Sequence, residues 1–185
     1  MFEMKKLSRR TFVQTAAVST VGAAILGVPA RLTAFSPNET VNIAIIGLGG
    51  RSYALAKSIS LCNNLKLTHV CDVDGERASK FLAYCADKIG NSPEHIADFR
   101  NLLDIDAVDA VAIATPEHWH APMAIMGLQA GKHVYVEKPC SHNPHETELL
   151  VRAAAQAKTL CQMGNQQRSS ITSNEAIAMI REGAI

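Results

Sequence analysis

The chain has 185 residues, of which 48% are hydrophobic and 19% charged, which suits one compact domain with a real core plus an additional segment. Lysine and arginine number 18, aspartate and glutamate 17, and the formal net charge is +1. No stripe of basic residues runs through the body of the chain and only 5% of residues are aromatic, so the composition excludes neither an enzyme nor a binding module but argues against a nucleic-acid surface.

The first 35 residues are predicted to be an export signal. Its basic start ends with Arg9 and Arg10, and the run 12–30 that follows contains no charge and is rich in small residues. The paired arginines followed by Phe12 resemble the twin-arginine motif of the pathway that exports folded proteins. A membrane anchor is the alternative, but the run is weakly hydrophobic for a span. We expect export to the periplasm by the twin-arginine machinery, without a stable membrane anchor.

After a short polar linker, apolar strand-like runs alternate with helical patterns. The predicted strands are 41–46, 67–73, 110–114, 134–136 and 160–163. The helical patterns between them cover 52–61, 78–88, 99–103, 118–130 and a segment opened by an Asn143 cap that continues to Ala157. This alternation predicts βαβ units and an α/β fold with a doubly wound parallel sheet of the Rossmann type over residues 36–166.

One more helix follows the predicted sheet. Thr172 and Glu175 predict its cap, and Gly183 predicts its end. A parallel sheet binds ligands at its carboxyl edge, yet the walls that would hold a substrate there are not found in the remaining sequence. We therefore expect residues 167–185 to be the first helix of a second α/β substrate domain, and the chain to be truncated within it. The full-length protein is expected to be a homo-oligomer.

A glycine-rich turn follows the first strand and opens the first helix, which is the context of a dinucleotide-binding fingerprint. The predicted cofactor-binding residues of this turn are Gly47, Leu48, Gly49, Gly50 and Arg51. Gly47 permits the tight turn, and Gly49 allows the backbone to approach a pyrophosphate at the helix N-terminus. Ser52 stands where the fingerprint has glycine or alanine. Asp72, after the second strand, could accept hydrogen bonds from the ribose hydroxyls.

Four motifs together resemble the Gfo/Idh/MocA family, named for glucose-fructose oxidoreductase, inositol dehydrogenase and a rhizopine-catabolism protein. They are the glycine turn with Asp72, the segment 114–120 (ATPEHWH), the segment 131–139 (GKHVYVEKP) and the segment 164–168 (GNQQR). The Glu-Lys-Pro element is the most specific of them. The resemblance spans about residues 40–185 and implies a second domain with an open antiparallel sheet.

The resemblance also implies roles for single residues. Thr115, Pro116 and His120 would border the nicotinamide side of the cleft, and Glu137 and Lys138 would lie where nicotinamide and sugar meet. An ammonium at Lys138 could stabilise a developing alkoxide and relay its proton. The predicted catalytic residues are therefore Lys138, Glu137 and His120, and the predicted cofactor contacts include Thr115, Pro116, His120, Glu137 and Lys138. The final proton acceptor of many relatives lies in the second domain.

Other chemistry is less well supported by the sequence. Asp72 would repel a 2′-phosphate, so NAD is expected over NADP, although Asp74 and Arg77 leave NADP open. His118 and His120 are two residues apart at a helix start and point in different directions, so no metal site is expected. The five cysteines contain no C-x-x-C pair; Cys71 and Cys161 are expected as packed thiols, and a bridge between Cys62 and Cys85 is left open.

The expected function is hydride transfer between a tightly bound nicotinamide cofactor and a sugar, sugar derivative or cyclitol. Tight binding is expected because free dinucleotide is an intracellular metabolite, so an exported enzyme would carry its own and run a redox-neutral cycle. Two alternatives remain. The same scaffold could cleave glycosides by transient oxidation, or it could be a non-catalytic module that binds dinucleotide or sugar.

Overall fold

The computed structural model describes residues 40–184. At its centre lies a six-stranded sheet in which every pair of neighbouring strands is parallel. In chain order the strands are β1 (Val41–Ile46), β2 (Leu65–Cys71), β3 (Glu94–Ile96), β4 (Ala110–Ile113), β5 (His133–Glu137) and β6 (Cys161–Gly164). Their order across the sheet is β3-β2-β1-β4-β5-β6. The chain thus builds one half of the sheet outward from β1, returns to the centre and builds the other, which confirms the predicted doubly wound fold.

Within the described residues, five helices lie between successive strands and a sixth follows β6. They are α1 (Gly50–Ser60), α2 (Gly75–Tyr84), α3 (Phe99–Leu103), α4 (His120–Gln129), α5 (Pro144–Gln156) and α6 (Ile171–Arg181). A π-helical turn at Cys85–Ile89 extends α2, and a 3₁₀ turn at Glu117–Trp119 precedes α4. The predicted cap of α5 is confirmed, because the Asn143 side chain accepts a hydrogen bond from the Glu146 N–H.

Two apolar clusters cover the two faces of the sheet. Successive residues of β1 alternate between them, with Ala44 and Ile46 in one cluster and Ile45 in the other. α3, α4 and α5 contribute to the first cluster, whereas α1 and α2 contribute to the second. Burial on both faces explains why the central strands are nearly continuous apolar runs in the sequence.

Two sequence expectations differ from the structure. β3 is a sixth strand beside the five named from the sequence; it has three residues and a single apolar side chain, Ile96, too little for a periodic signal. The cap of α6 is Ser170, whose side chain accepts from the Ser173 N–H, and Thr172 lies inside the helix. Thr172 was the wrong cap because the helix begins one residue before it, at Ile171.

The predicted export signal at residues 1–35 lies outside the described residues, and the domain boundaries at 36–166 and 167–185 stay predictions. Within residues 40–184, no helix is long and apolar enough to cross a membrane. All five cysteines fall in this part of the chain and are free thiols, so the Cys62–Cys85 bridge is not formed; Cys71 and Cys85 are buried and Cys161 is half-buried.

Candidate functional site

The glycine turn lies against the end of β4. Gly47 has φ +90°, and a Cβ at this position would lie 2.7 Å from the backbone nitrogen of Thr115. No side chain fits there, which explains the glycine in both conformational and steric terms. Ser52 is fully buried, and its hydroxyl donates to the Gly49 carbonyl at 2.6 Å. Ser52, which stands where the fingerprint has glycine or alanine, therefore links the start of α1 to the glycine turn by a hydrogen bond.

Asp72 braces the turn from the neighbouring strand. Its carboxylate accepts the Leu48 N–H at 2.8 Å and the Asp74 N–H at 2.9 Å. Asp74 in turn caps α2 and accepts from the Arg77 guanidinium at 3.2 Å. Hydrogen bonds from the Arg77 and Glu76 backbone, followed by the Arg77 charge, hold the pKa of the Asp74 carboxyl below its usual range.

A cleft of about 650 Å³ opens beside the turn at the carboxyl ends of the strands. Four of the predicted site residues line it, namely Gly47, Asp72, Thr115 and Pro116. Val73, Phe99 and Trp119 add apolar walls, and the rings of Phe99 and Trp119 meet edge to face at 6.2 Å. Leu48, Gly49, Gly50, Arg51, His120, Glu137 and Lys138 lie outside this lining.

Glu137 ends β5 with its carboxylate nearly enclosed, at 6% exposure. It accepts hydrogen bonds from Arg51 Nε at 2.6 Å, from the Tyr135 hydroxyl at 3.1 Å and from Gln166 Nε2 at 2.9 and 2.8 Å. Burial raises the pKa of this carboxyl, but the hydrogen bonds and the Arg51 charge outweigh it, so the pKa lies below its ordinary value. The carboxylate therefore joins α1, β5 and the segment after β6.

Two members of this network, Tyr135 and Gln166, are not among the predicted site residues. Tyr135 lies two positions before Glu137 and so projects from the same face of the strand. Gln166 belongs to the segment 164–168, one of the motifs on which the resemblance rests. Strand periodicity in one case and the motif in the other are the signals that could have identified them.

Lys138 follows β5 directly and is exposed. Among residues 40–184, the Lys138 ammonium makes no ion pair. The peptide bond between Lys138 and Pro139 is cis. The structure therefore leaves a free cation at the carboxyl edge, separated from the glycine turn by the width of β4. This arrangement agrees with a group that meets a ligand across the edge of the sheet.

His120, the first residue of α4, is buried at 2% exposure. Its Nδ1 faces the Pro139 carbonyl at 2.5 Å and its Nε2 faces the Thr115 carbonyl at 2.8 Å. His118 is exposed, with its ring 6.4 Å from that of His142. Over the described part of the chain, no group of three or more histidine, cysteine or acidic side chains could hold a metal ion.

The turn fits the pyrophosphate of a dinucleotide. A Cβ at Gly50 would meet nothing within 4 Å, and one at Gly49 would meet only the Arg77 guanidinium at 3.8 Å, so the backbone there is open to a ligand. The first turn of α1 carries no acidic residue to oppose an anion at the helix N-terminus. Together the parallel sheet, the turn and the cleft define a dinucleotide-binding Rossmann domain.

Residues 41–165 match the Gfo/Idh/MocA family model, described as an oxidoreductase family with an NAD-binding Rossmann fold. The chain belongs to this family, which confirms the resemblance seen in its motifs. Two similar curated proteins are glycosyl hydrolase family 109 proteins. The one from Solibacter usitatus is 33% identical over 170 residues, covering 85% of this chain and 39% of that protein. The one from Saccharopolyspora erythraea is 31% identical and covers 95% and 43%.

Solved structures share the fold. Scyllo-inositol dehydrogenase from Lactobacillus casei, crystallised with NAD(H) and scyllo-inositol, matches with a TM-score of 0.69 and 27% identity over 80% of this chain and 42% of that one. A 3-ketoreductase from Actinomadura kijaniata, crystallised with NADP, matches with a TM-score of 0.70 and 24% identity over 80% and 45%. The chain thus spans about two fifths of the length of the curated relatives that it matches.

Proposed function

We propose that the full-length protein is an NAD(P)-dependent oxidoreductase that transfers a hydride between a tightly bound cofactor and a sugar, sugar derivative or cyclitol. The observation that carries the proposal is the joint placement, at one edge of the sheet, of the braced glycine turn and the unpaired Lys138. The relative crystallised with NAD(H) and scyllo-inositol supports the substrate class.

The glycine turn and the N-terminus of α1 would hold the pyrophosphate, and Asp72 would accept from the ribose hydroxyls. We favour NAD over NADP for an electrostatic reason. Asp72 brings a carboxylate to the cleft, and the two arginines that line it, Arg77 and Arg100, are already paired with Asp74 and Asp98. A 2′-phosphate would therefore meet negative charge before it met a free cation.

When bound, the nicotinamide would supply hydride transfer. The chain's own contribution would be proton chemistry and orientation. Lys138 would donate a hydrogen bond to the substrate oxygen, stabilise negative charge there and relay its proton. Glu137, whose oxygens are occupied by Arg51, Tyr135 and Gln166, would act by holding the end of β5, and through it Lys138, in place.

Export by the twin-arginine pathway belongs to the same proposal. A protein that crosses the membrane folded could carry its dinucleotide with it, whereas the periplasm offers no supply. Slow release of cofactor would then require a redox-neutral cycle, in which each oxidation is followed by a reduction on the same cofactor. The signal-like composition of residues 1–35 supports this part of the proposal.

A second candidate function is glycoside cleavage through transient oxidation of the sugar. It is favoured by the two relatives named as glycosyl hydrolase family 109 proteins, at 33% and 31% identity. The two functions would share the dinucleotide site and Lys138. They differ in products, since only the glycosidase releases an aglycone.

The experiment is to purify the full-length protein, determine its bound dinucleotide by native mass spectrometry, and incubate it with sugars, cyclitols and aryl glycosides. Lys138→Ala should lower turnover by about 100-fold or more with the dinucleotide still bound, because proton relay contributes roughly 10²–10⁴-fold. Lys158→Ala, at another exposed lysine, is the matched control and should keep full turnover.

Aglycone release from the glycosides would select the second candidate. A protein that binds neither dinucleotide, or that turns over equally well without the Lys138 ammonium, would refute the proposal in both forms. Dinucleotide binding without any turnover would instead identify the non-catalytic module.

A further inference from the structure

We infer that His120 is a positioning residue that ties the backbone after β5, where Lys138 lies, to the backbone after β4. The inference goes beyond the proposed function and rests on it only for its kinetic readout. His120 lies at the start of α4 and so outside both strands that it joins. Its ring nitrogens make the connection, because a ring nitrogen that carries a hydrogen donates to the carbonyl that it faces.

The β4–β5 ladder ends with the pairing of Ile113 and Val136. The Thr115 and Pro139 carbonyls lie beyond the last rung, where the neighbouring strand offers no N–H. Thr115 is half-buried and Pro139 is exposed, but the buried His120 ring lies against both carbonyls. The imidazole faces both, at 2.8 Å from the Thr115 oxygen and 2.5 Å from the Pro139 oxygen.

His120 is buried, with 2% of the residue exposed, and each ring nitrogen already faces a carbonyl oxygen. Neither nitrogen is left free to contact a substrate, so direct acid–base chemistry at either one would require its contact with a carbonyl oxygen to break. Lys138, by contrast, is exposed and one residue from Pro139. Substrate contact belongs to the lysine, and the histidine acts on it through the peptide chain.

Thr115 lines the cleft beside the glycine turn, and its backbone nitrogen lies 2.7 Å from where a Gly47 Cβ would be. Pro139 carries the peptide that follows Lys138. The imidazole therefore sets the separation between the cleft wall and the cation. A displacement of about 1 Å between reacting groups can lower the rate about 100-fold.

The test compares His120→Phe, which keeps a ring but has no donor, with His120→Gln, which keeps one N–H donor group. In the full-length protein we expect His120→Phe to retain dinucleotide and substrate KM while kcat falls about 100-fold. His120→Gln should recover part of this loss. His145→Phe, on the exposed start of α5, is the matched control and should behave as wild type.

Two readouts do not depend on activity. Proton NMR of the wild type should show a slowly exchanging imidazole N–H resonance that is absent from His120→Phe. A crystal structure of His120→Phe should show the Lys138 Cα displaced relative to Thr115. If Lys138 keeps its place in His120→Phe while kcat is lost, and His120→Gln restores none of the loss, then His120 acts directly and the inference is overturned. A wild-type kcat in His120→Phe would also overturn it. If the protein lacked the proposed oxidoreductase activity, the imidazole N–H resonance and the position of the Lys138 Cα would still test the inference.

Discussion

Replacing Glu137 by glutamine should destabilise the fold by about 1–4 kcal/mol. The carboxylate accepts hydrogen bonds from three side chains, whereas an amide keeps one acceptor oxygen and turns an NH₂ group toward the other donors. A buried donor left unpaired costs about 1–3 kcal/mol. Loss of the Arg51 ion pair adds about 0.2–1 kcal/mol at most, because the Arg51 side chain is 40% exposed and screened by solvent.

The assay is urea denaturation followed by circular dichroism. With a slope of about 2 kcal/mol per molar urea, a loss of this size lowers the midpoint by about 0.5–2 M. Glu148→Gln is the matched control, because Glu148 pairs with Arg152 at 3.5 Å on the exposed face of α5 and should show no measurable change. Equal midpoints for the two variants would refute the view that Glu137 joins three elements.

The same network predicts a pH dependence with a definite sign. The pKa of the Glu137 carboxyl is lower in the folded protein than in the unfolded chain, where it is about 4.3. Its stabilisation is therefore complete above the unfolded-state pKa and is lost as the pH falls through the folded-state pKa. The difference in unfolding free energy between wild type and Glu137→Gln should be constant near neutral pH and shrink in acid. A difference that grows in acid would contradict this assignment.

Three further outcomes are expected. Gly47→Ala should prevent dinucleotide binding in titration calorimetry and lower the unfolding midpoint, because the new Cβ would meet backbone at 2.7 Å with φ at +90°; binding at wild-type affinity would contradict this. Gly164→Ala should destabilise by about 1–3 kcal/mol, since its Cβ would overlap the Tyr135 hydroxyl, and an unchanged urea midpoint would argue against that packing. In thiol labelling followed by mass spectrometry, the exposed Cys62 should react before the buried Cys71, because burial raises the pKa of the Cys71 thiol to about 12. Equal labelling rates of the two thiols in the native protein would contradict this prediction.

Much of the site could be predicted because its residues occupy positions defined by local pattern. Gly47 follows a β-branched strand and precedes a helix, and Asp72 follows the next strand along the chain. In a parallel sheet these strand ends meet at one edge, so order along the chain is enough to bring them together. The four predicted residues that line the cleft are all of this kind.

The residues whose surroundings could not be predicted are those whose partners come from distant elements. Glu137 lies 86 residues from Arg51 and 29 from Gln166, and their hydrogen bonds depend on how α1 and the segment after β6 pack beside β5. His120 was placed at the cofactor from its motif, yet it is buried between two carbonyls. A motif identifies the residue type at a position but not which of its atoms remain free.

By itself, the sequence determined the alternation of strands and helices, the parallel α/β class and the glycine turn, because side-chain periodicity and glycine geometry are properties of the local chain. Tertiary structure alone decided that β3 completes the sheet, that Glu137 is held by three donors, and that both nitrogens of His120 face carbonyl oxygens. The physical reason is that hydrogen-bond partners far apart in sequence are selected by the packing of whole elements, which no short stretch of residues specifies.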